Sequence, residues 1–163
     1  MTQIRLPQDG RFALNIEDKK YDFRVSTMPT LEAESIVLRI LDNKNIDKNL
    51  QTLGISSNLF EILTQALKLT QGLILISGPT GSGKTTTLYS ILQELNCEEK
   101  KIITVEDPIE YKIDSICQIP INNKIGLSFE LVLRNILRQD PDIIFIGEIR
   151  KKKKINIALQ ASL

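Results

Sequence analysis

Gly78-Pro-Thr-Gly-Ser-Gly-Lys-Thr85 is the stretch on which the reading of this 163-residue chain turns. It fits G-x-x-x-x-G-K-[ST], with an apolar run from Leu73 to Ser77 directly before it and a helix-forming run from Lys84 to Leu95 directly after it. A strand feeding a glycine-rich turn that opens a helix is a phosphate cradle. The backbone must wrap an anion with its N–H groups inward, a conformation that side chains obstruct, and the helix start adds a positive end. Lys84 supplies a point charge for β- and γ-phosphates, and the Thr85 hydroxyl is placed to ligate Mg²⁺. The cradle therefore comprises Gly78, Pro79, Thr80, Gly81, Ser82, Gly83, Lys84, Thr85 and Thr86, and its ligand is ATP with Mg²⁺. Gly81-Ser82-Gly83 lacks the spacing of a G-x-S-x-G nucleophile elbow.

Downstream of the cradle, short apolar runs alternate with helical patterns: strand Ile102–Val105, helix Phe129–Leu137, strand Ile143–Ile146, and an amphipathic stretch from Ile155 to Leu163. This alternation predicts an α/β fold with a mostly parallel sheet. Upstream, Asn58 with Glu61 resembles a capping box, and apolar residues then recur at helical spacing to about Leu69. The first forty or so residues hold β-type runs, Arg11–Ile16, Tyr21–Ser26 and Ser35–Leu41, punctuated by Asp9-Gly10 and Pro29, as in a small sheet-bearing module. Between them the composition turns polar. The organisation read here is a first module over 1–42, a linker over 43–54 and a nucleotide-binding core over 55–163.

Two acidic elements fall at predicted strand ends, where an open parallel sheet places its ligand crevice. In Thr104-Val-Glu-Asp-Pro-Ile-Glu110 three carboxylates, Glu106, Asp107 and Glu110, surround a proline that stops the strand. In Asp142-Ile-Ile-Phe-Ile-Gly-Glu148 a buried strand ends on Gly147-Glu148. Many phosphate-loop enzymes hold Mg²⁺ through an Asp at such an end, but here Gly147 stands before the glutamate. The division of labour this suggests gives Glu148 the attacking water and Glu106 or Asp107 the support of Mg²⁺ through water, with Glu106 and Glu110 as further catalytic carboxylates.

Composition excludes other chemistries. The chain has no His, so Ser–His and Cys–His nucleophiles are ruled out within it, and no His/Cys zinc site forms from Cys97 and Cys117. Net charge is +1 and aromatic content 5%, which gives neither the basic field nor the stacking rings of a nucleic-acid groove. The apolar runs are far short of the roughly 18 residues of a spanning helix, and Met1 to Pro7 carries no secretory signal, so a cytoplasmic location is expected.

With these residues in place, the chain resembles the secretion "traffic" ATPases, the type II secretion and type IV pilus assembly family. Leu6-Pro-Gln-Asp-Gly-Arg11, Phe23-Arg-Val-Ser-Thr-Met-Pro29, the Gly78–Thr85 loop, Thr104 to Glu110, and Leu137-Arg-Gln-Asp-Pro-Asp142 through Gly147-Glu-Ile-Arg150 all stand in family order. The resemblance implies a P-loop RecA-like core preceded by the end of a small α+β, PAS-like N-terminal domain. It also implies a ring hexamer with ATP between a subunit's two domains, and inner-membrane platform proteins as partners of a peripheral motor. Arg24 and Arg39 match the family's arginine positions, with Arg11 a further candidate. The chain departs from the family at Lys151 to Lys154, where acidic residues and a Thr are usual, and lacks the histidine-bearing segment and the four-cysteine zinc module. A truncated chain is implied, and the alternative to a working motor is a nucleotide-binding remnant without productive turnover.

Overall fold

The computed structural model describes residues 6–17, 19–41, 49–149 and 152–162. Met1 to Arg5, the 42–48 part of the linker stretch, and Arg150 with Lys151 of the lysine run lie outside the described residues, as does Leu163. The chain divides into two compact units, Met1–Asn45 and Ile46–Leu163.

The first unit is an antiparallel sheet of three strands in sequence order, β1 (Gln8–Ile16), β2 (Lys19–Pro29) and β3 (Glu34–Leu41). Asp9 and Gly10, read above as punctuation, pair within β1 against Ser26 and Val25. Pro29 ends β2, where a missing N–H costs least. Because side chains alternate along each strand, the register sorts them into two faces. Phe12 lies opposite Phe23 and Phe23 opposite Ile40, with the two phenyl rings stacked at 5.0 Å. Leu14, Val25 and Leu38 share that apolar face. The other face carries Arg11, Arg24 and Arg39.

The second unit begins with a 3-10 turn, Leu50–Leu53, within the stretch read as a linker; Leu50 is buried and the turn packs on the helix after the glycine loop. Helix α1 (Ser57–Ala66) follows. Its N-cap is Ser56, so Asn58 lies inside the first turn and the capping box expected from Asn58 and Glu61 does not form. Next come α2 (Lys84–Leu95), β4 (Ile102–Glu106), β5 (Cys117–Pro120), α3 (Phe129–Ile136), β6 (Ile143–Ile146) and α4 (Lys152–Ala161). The sheet is parallel, in the order β5-β4-β6.

Both faces of this sheet are covered. Ile103 and Val105 of β4 pack with Phe129, Val132, Leu133 and Ile136 of α3. Ile102 and Phe145 pack on the opposite side with Tyr89 and Leu92 of α2. Burial on two sides explains why β4 and β6 are almost continuously apolar. One expected strand is not formed. Leu73–Ser77 belongs to no sheet among the described residues, and Leu73, Ile74 and Leu75 are exposed. An apolar run becomes a strand only where a neighbour accepts its ladder, and β4, β5 and β6 pair only among themselves. No helix among the described residues is long and apolar enough to cross a membrane.

Candidate functional site

The glycine loop turns tightly and delivers the chain into α2. Gly81 and Gly83 have φ of 80° and 87°, the left-handed region that costs an L-residue roughly 1–2 kcal/mol. A Cβ at either would meet nothing within 4 Å, so backbone conformation and not crowding requires glycine there. Gly83 is also the N-cap of α2 and has no side chain with which to cap it. The first turn of α2 therefore begins without the Ser, Thr, Asp or Asn oxygen that usually occupies its N–H groups. Lys84 reaches back over the loop, its Nζ donating to the carbonyls of Gly78 at 2.9 Å and Pro79 at 2.7 Å. The loop closes on itself as well, with the N–H of Ser82 donating to Pro79 O at 3.3 Å.

At the C-terminal ends of β4 and β6 the acidic elements come together. The N–H of Gly147 donates to Val105 O at 2.9 Å, and a Cβ at Gly147 would meet Cα and Cγ of Glu106 at 3.4 Å. Glu148 follows at once, half-buried. Asp107 is exposed and Glu110 half-buried in the connection between β4 and β5.

Glu106 is 3% exposed, yet its carboxylate is fully engaged by donors from three elements. The Tyr89 hydroxyl donates to Oε2, the Thr104 hydroxyl to Oε1 at 2.6 Å, and Gln118 Nε2 to Oε1 at 3.3 Å. The geometry follows from alternation: Thr104 and Glu106 lie on the α2 face of β4, where Tyr89 is buried. Burial first, then the hydrogen bond and the negative charge of Glu106, push the Tyr89 phenol well above its ordinary pKa. Tyr89, Thr104 and Gln118 were not singled out from sequence. Thr104, a polar residue inside an otherwise apolar buried strand apart from its glutamate, was the available signal, since such a group needs a partner.

The residues fit a triphosphate with Mg²⁺. A helix start capped only by glycine offers N–H groups, Lys84 a cation, and Thr85 a hydroxyl at the first turn. Among the described residues no three His, Cys, Asp or Glu side chains form a metal cage. Mg²⁺ characteristically takes one or two protein groups together with phosphate oxygens and water. Within the first unit, Arg11 lies opposite Arg24, and Arg24 opposite Arg39, in exposed cross-strand register.

A parallel sheet between α2 and α3, with a lysine-bearing glycine loop at one helix start and carboxylates at the strand ends, places the second unit among mixed α/β proteins. In the solved structure of the Legionella pneumophila ATPase DotB, an equivalent fold covers 96% of this chain and 44% of that one, with a TM-score of 0.74 and 28% identity. The VirB11 ATPase of the Brucella suis type IV secretion system shares the fold at a TM-score of 0.51 and 20% identity over 93% of this chain and 55% of that one. The family model "Type II/IV secretion system protein" matches residues 1–163, and the chain belongs to that family. It is 49% identical over all 163 residues to the type II secretion system protein E of Xanthomonas campestris pv. campestris, and 48% identical to the type II secretion system ATPase E of Vibrio cholerae. The chain covers 29% and 32% of those two relatives, so it spans about a third of their length.

Proposed function

We propose that this chain is the nucleotide-binding part of a type II secretion or type IV pilus assembly ATPase, with a P-loop RecA-like core that binds and hydrolyses ATP with Mg²⁺. The observation that carries this reading is Lys84 folded onto the Gly78 and Pro79 carbonyls. Its ammonium is held over the loop by two weak neutral acceptors and has a stronger partner in a phosphate oxygen.

In this reading the N–H groups of Gly81, Gly83, Lys84 and Thr85 bind the phosphate tail and Lys84 bridges its β- and γ-oxygens. Thr85, with the exposed Asp107 through water, would hold Mg²⁺, which would supply charge neutralisation at those oxygens; the buried Glu106, expected from sequence to share that role, is instead held by Tyr89, Thr104 and Gln118. Glu148 accepts a hydrogen bond from the attacking water and orients it, with Glu110 the further carboxylate for that role. Arg24 and Arg39, with Arg11, supply further positive charge to the transferring phosphoryl group. In-line transfer needs little covalent chemistry from a protein beyond such positioning. The intact protein then works as a hexamer, peripheral at the inner membrane through platform partners.

Titration calorimetry with ATP and Mg²⁺, followed by phosphate release, tests this. The expected result is binding that weakens about 10- to 100-fold in Lys84→Ala, the range a charge-assisted hydrogen bond supplies. A folded chain with no heat of binding, or with binding that Lys84→Ala leaves unchanged, overturns it. Binding without Lys84-dependent phosphate release assigns the chain to the remnant class.

A further inference from the structure

The Tyr89–Glu106 contact reaches beyond the site itself. Tyr89 lies five residues after Lys84, about 7.5 Å farther along the same rigid helix. Its hydroxyl donates to Glu106 and accepts from the N–H of Tyr111 at 3.4 Å, and its ring meets that of Tyr111 edge-on at 5.4 Å. Gln118 spends both ends of its amide on the same region. Its Nε2 donates to Tyr111 O at 2.8 Å and to Glu106, while its Oε1 accepts from the N–H of Ile113 at 2.8 Å. One connected set of hydrogen bonds thus joins α2, the end of β4, the connection through Asp107 to Ile116, and β5.

Such a network is an expensive way to fill space. Burying a carboxylate costs several kcal/mol before its partners offset it, and an apolar core at these positions has no such cost. Three donors fix the Glu106 carboxylate in one orientation, and removing any of them leaves an under-satisfied charge. The connection carries Asp107 and Glu110, two of the acidic groups that the proposed function assigns to the nucleotide site.

We propose that Tyr89 is a positioning residue which, with Gln118, ties the helix of the glycine loop to Glu106 and the 107–116 connection, so that occupancy of the loop is felt there. This rests on the nucleotide reading above. When Lys84 leaves the Gly78 and Pro79 carbonyls for a phosphate, the first turn of α2 is restrained, and Tyr89 passes that restraint to Glu106 and Tyr111.

Hydrogen exchange on the whole chain, with and without ATP and Mg²⁺, tests the tie. In the wild type, ATP slows exchange both over 84–95 and over 109–116, by about tenfold in each. In Tyr89→Phe the slowing over 84–95 and the ATP affinity persist, and the slowing over 109–116 is lost. Gln118→Met, which leaves α2 untouched, gives the same loss and serves if Tyr89→Phe does not fold. Slowing over 84–95 alone in the wild type, or slowing over 109–116 that survives in the variants, overturns the proposal. No slowing anywhere, with no heat of binding, removes the nucleotide reading and the tie with it; the silent 84–95 segment distinguishes that outcome.

Discussion

Gly147 lies against Glu106 so closely that a methyl group at 147 would touch both Cα and Cγ of the glutamate at 3.4 Å. That distance is ordinary van der Waals contact, so Gly147→Ala is expected to fold with a melting temperature close to the wild type. Gly147→Asp instead sets a second carboxylate beside a buried one, and the like-charge repulsion, screened because position 147 is exposed, costs about 1 kcal/mol. Urea unfolding of the two variants checks the contrast. Equal stabilities would show that the space beside Glu106 is open to solvent.

At the glycine loop the constraint is a different one. A Cβ at Gly78 would meet Ser82 Oγ at 2.7 Å but Ser82 Cβ at 3.5 Å. Gly78→Ala is therefore expected to weaken ATP binding about tenfold or more, the order of one misplaced charge-assisted contact. Adding Ser82→Ala removes the contact but not the strain of a backbone at φ 159°, so it restores only part of the affinity. Calorimetry on the single and double variants reads the rescue directly.

The arginine row predicts a stability gain coupled to a functional loss. Like charges facing each other across strands repel, at roughly 0.2–1 kcal/mol per pair, and Arg24 faces both Arg11 and Arg39. Arg24→Thr is expected to stabilise the N-terminal sheet by up to ~1 kcal/mol at low salt, less at high salt, while lowering ATP turnover by ~10³ or more. Urea titrations at two ionic strengths and a phosphate-release assay check both arms.

Glu148→Gln removes the acceptor assigned to the attacking water. ATP affinity should stay within about threefold, while turnover falls about 10²–10⁴-fold, the usual range for losing a general base. Unchanged turnover moves the role to Glu110, because both oxygens of the buried Glu106 are already held.

Tyr89 predicts a dependence on alkaline pH. Its folded pKa is raised above the ordinary 10.0, so the neutral phenol is favoured in the native state. The associated stability is fully present below pH about 10 and is lost as pH rises above it, because the unfolded chain ionises first. Tyr89→Phe is less stable near neutrality and loses less on going from pH 9 to 11. Melting curves across that range test the sign.

Much of this was legible in the chain. Lys84 to Leu95 forms the helix expected, because the glycine run marks its start and helical spacing its extent; Ile143–Ile146 likewise follows from a bounded apolar run. Cys117–Pro120 escaped notice because four residues with one Gln and one Pro carry no periodicity, and the strand exists only through its pairing with β4. Leu73–Ser77 failed for the converse reason: it has strand composition and no described partner. At the site, the loop and the carboxylates are local patterns. The setting of Glu106 is not, since Tyr89 and Gln118 reach it from 17 and 12 residues away, and Tyr89 on a helical stripe reads only as core.

The small N-terminal sheet separates rings from guanidinium groups by nothing more than odd and even positions along its strands. Deleting a single residue midway along β2 would turn Phe23 toward the cationic side and Arg24 into the hydrocarbon one. Such a sheet absorbs point replacements far more readily than length changes, and slipping one strand by a single residue would dismantle both surfaces together.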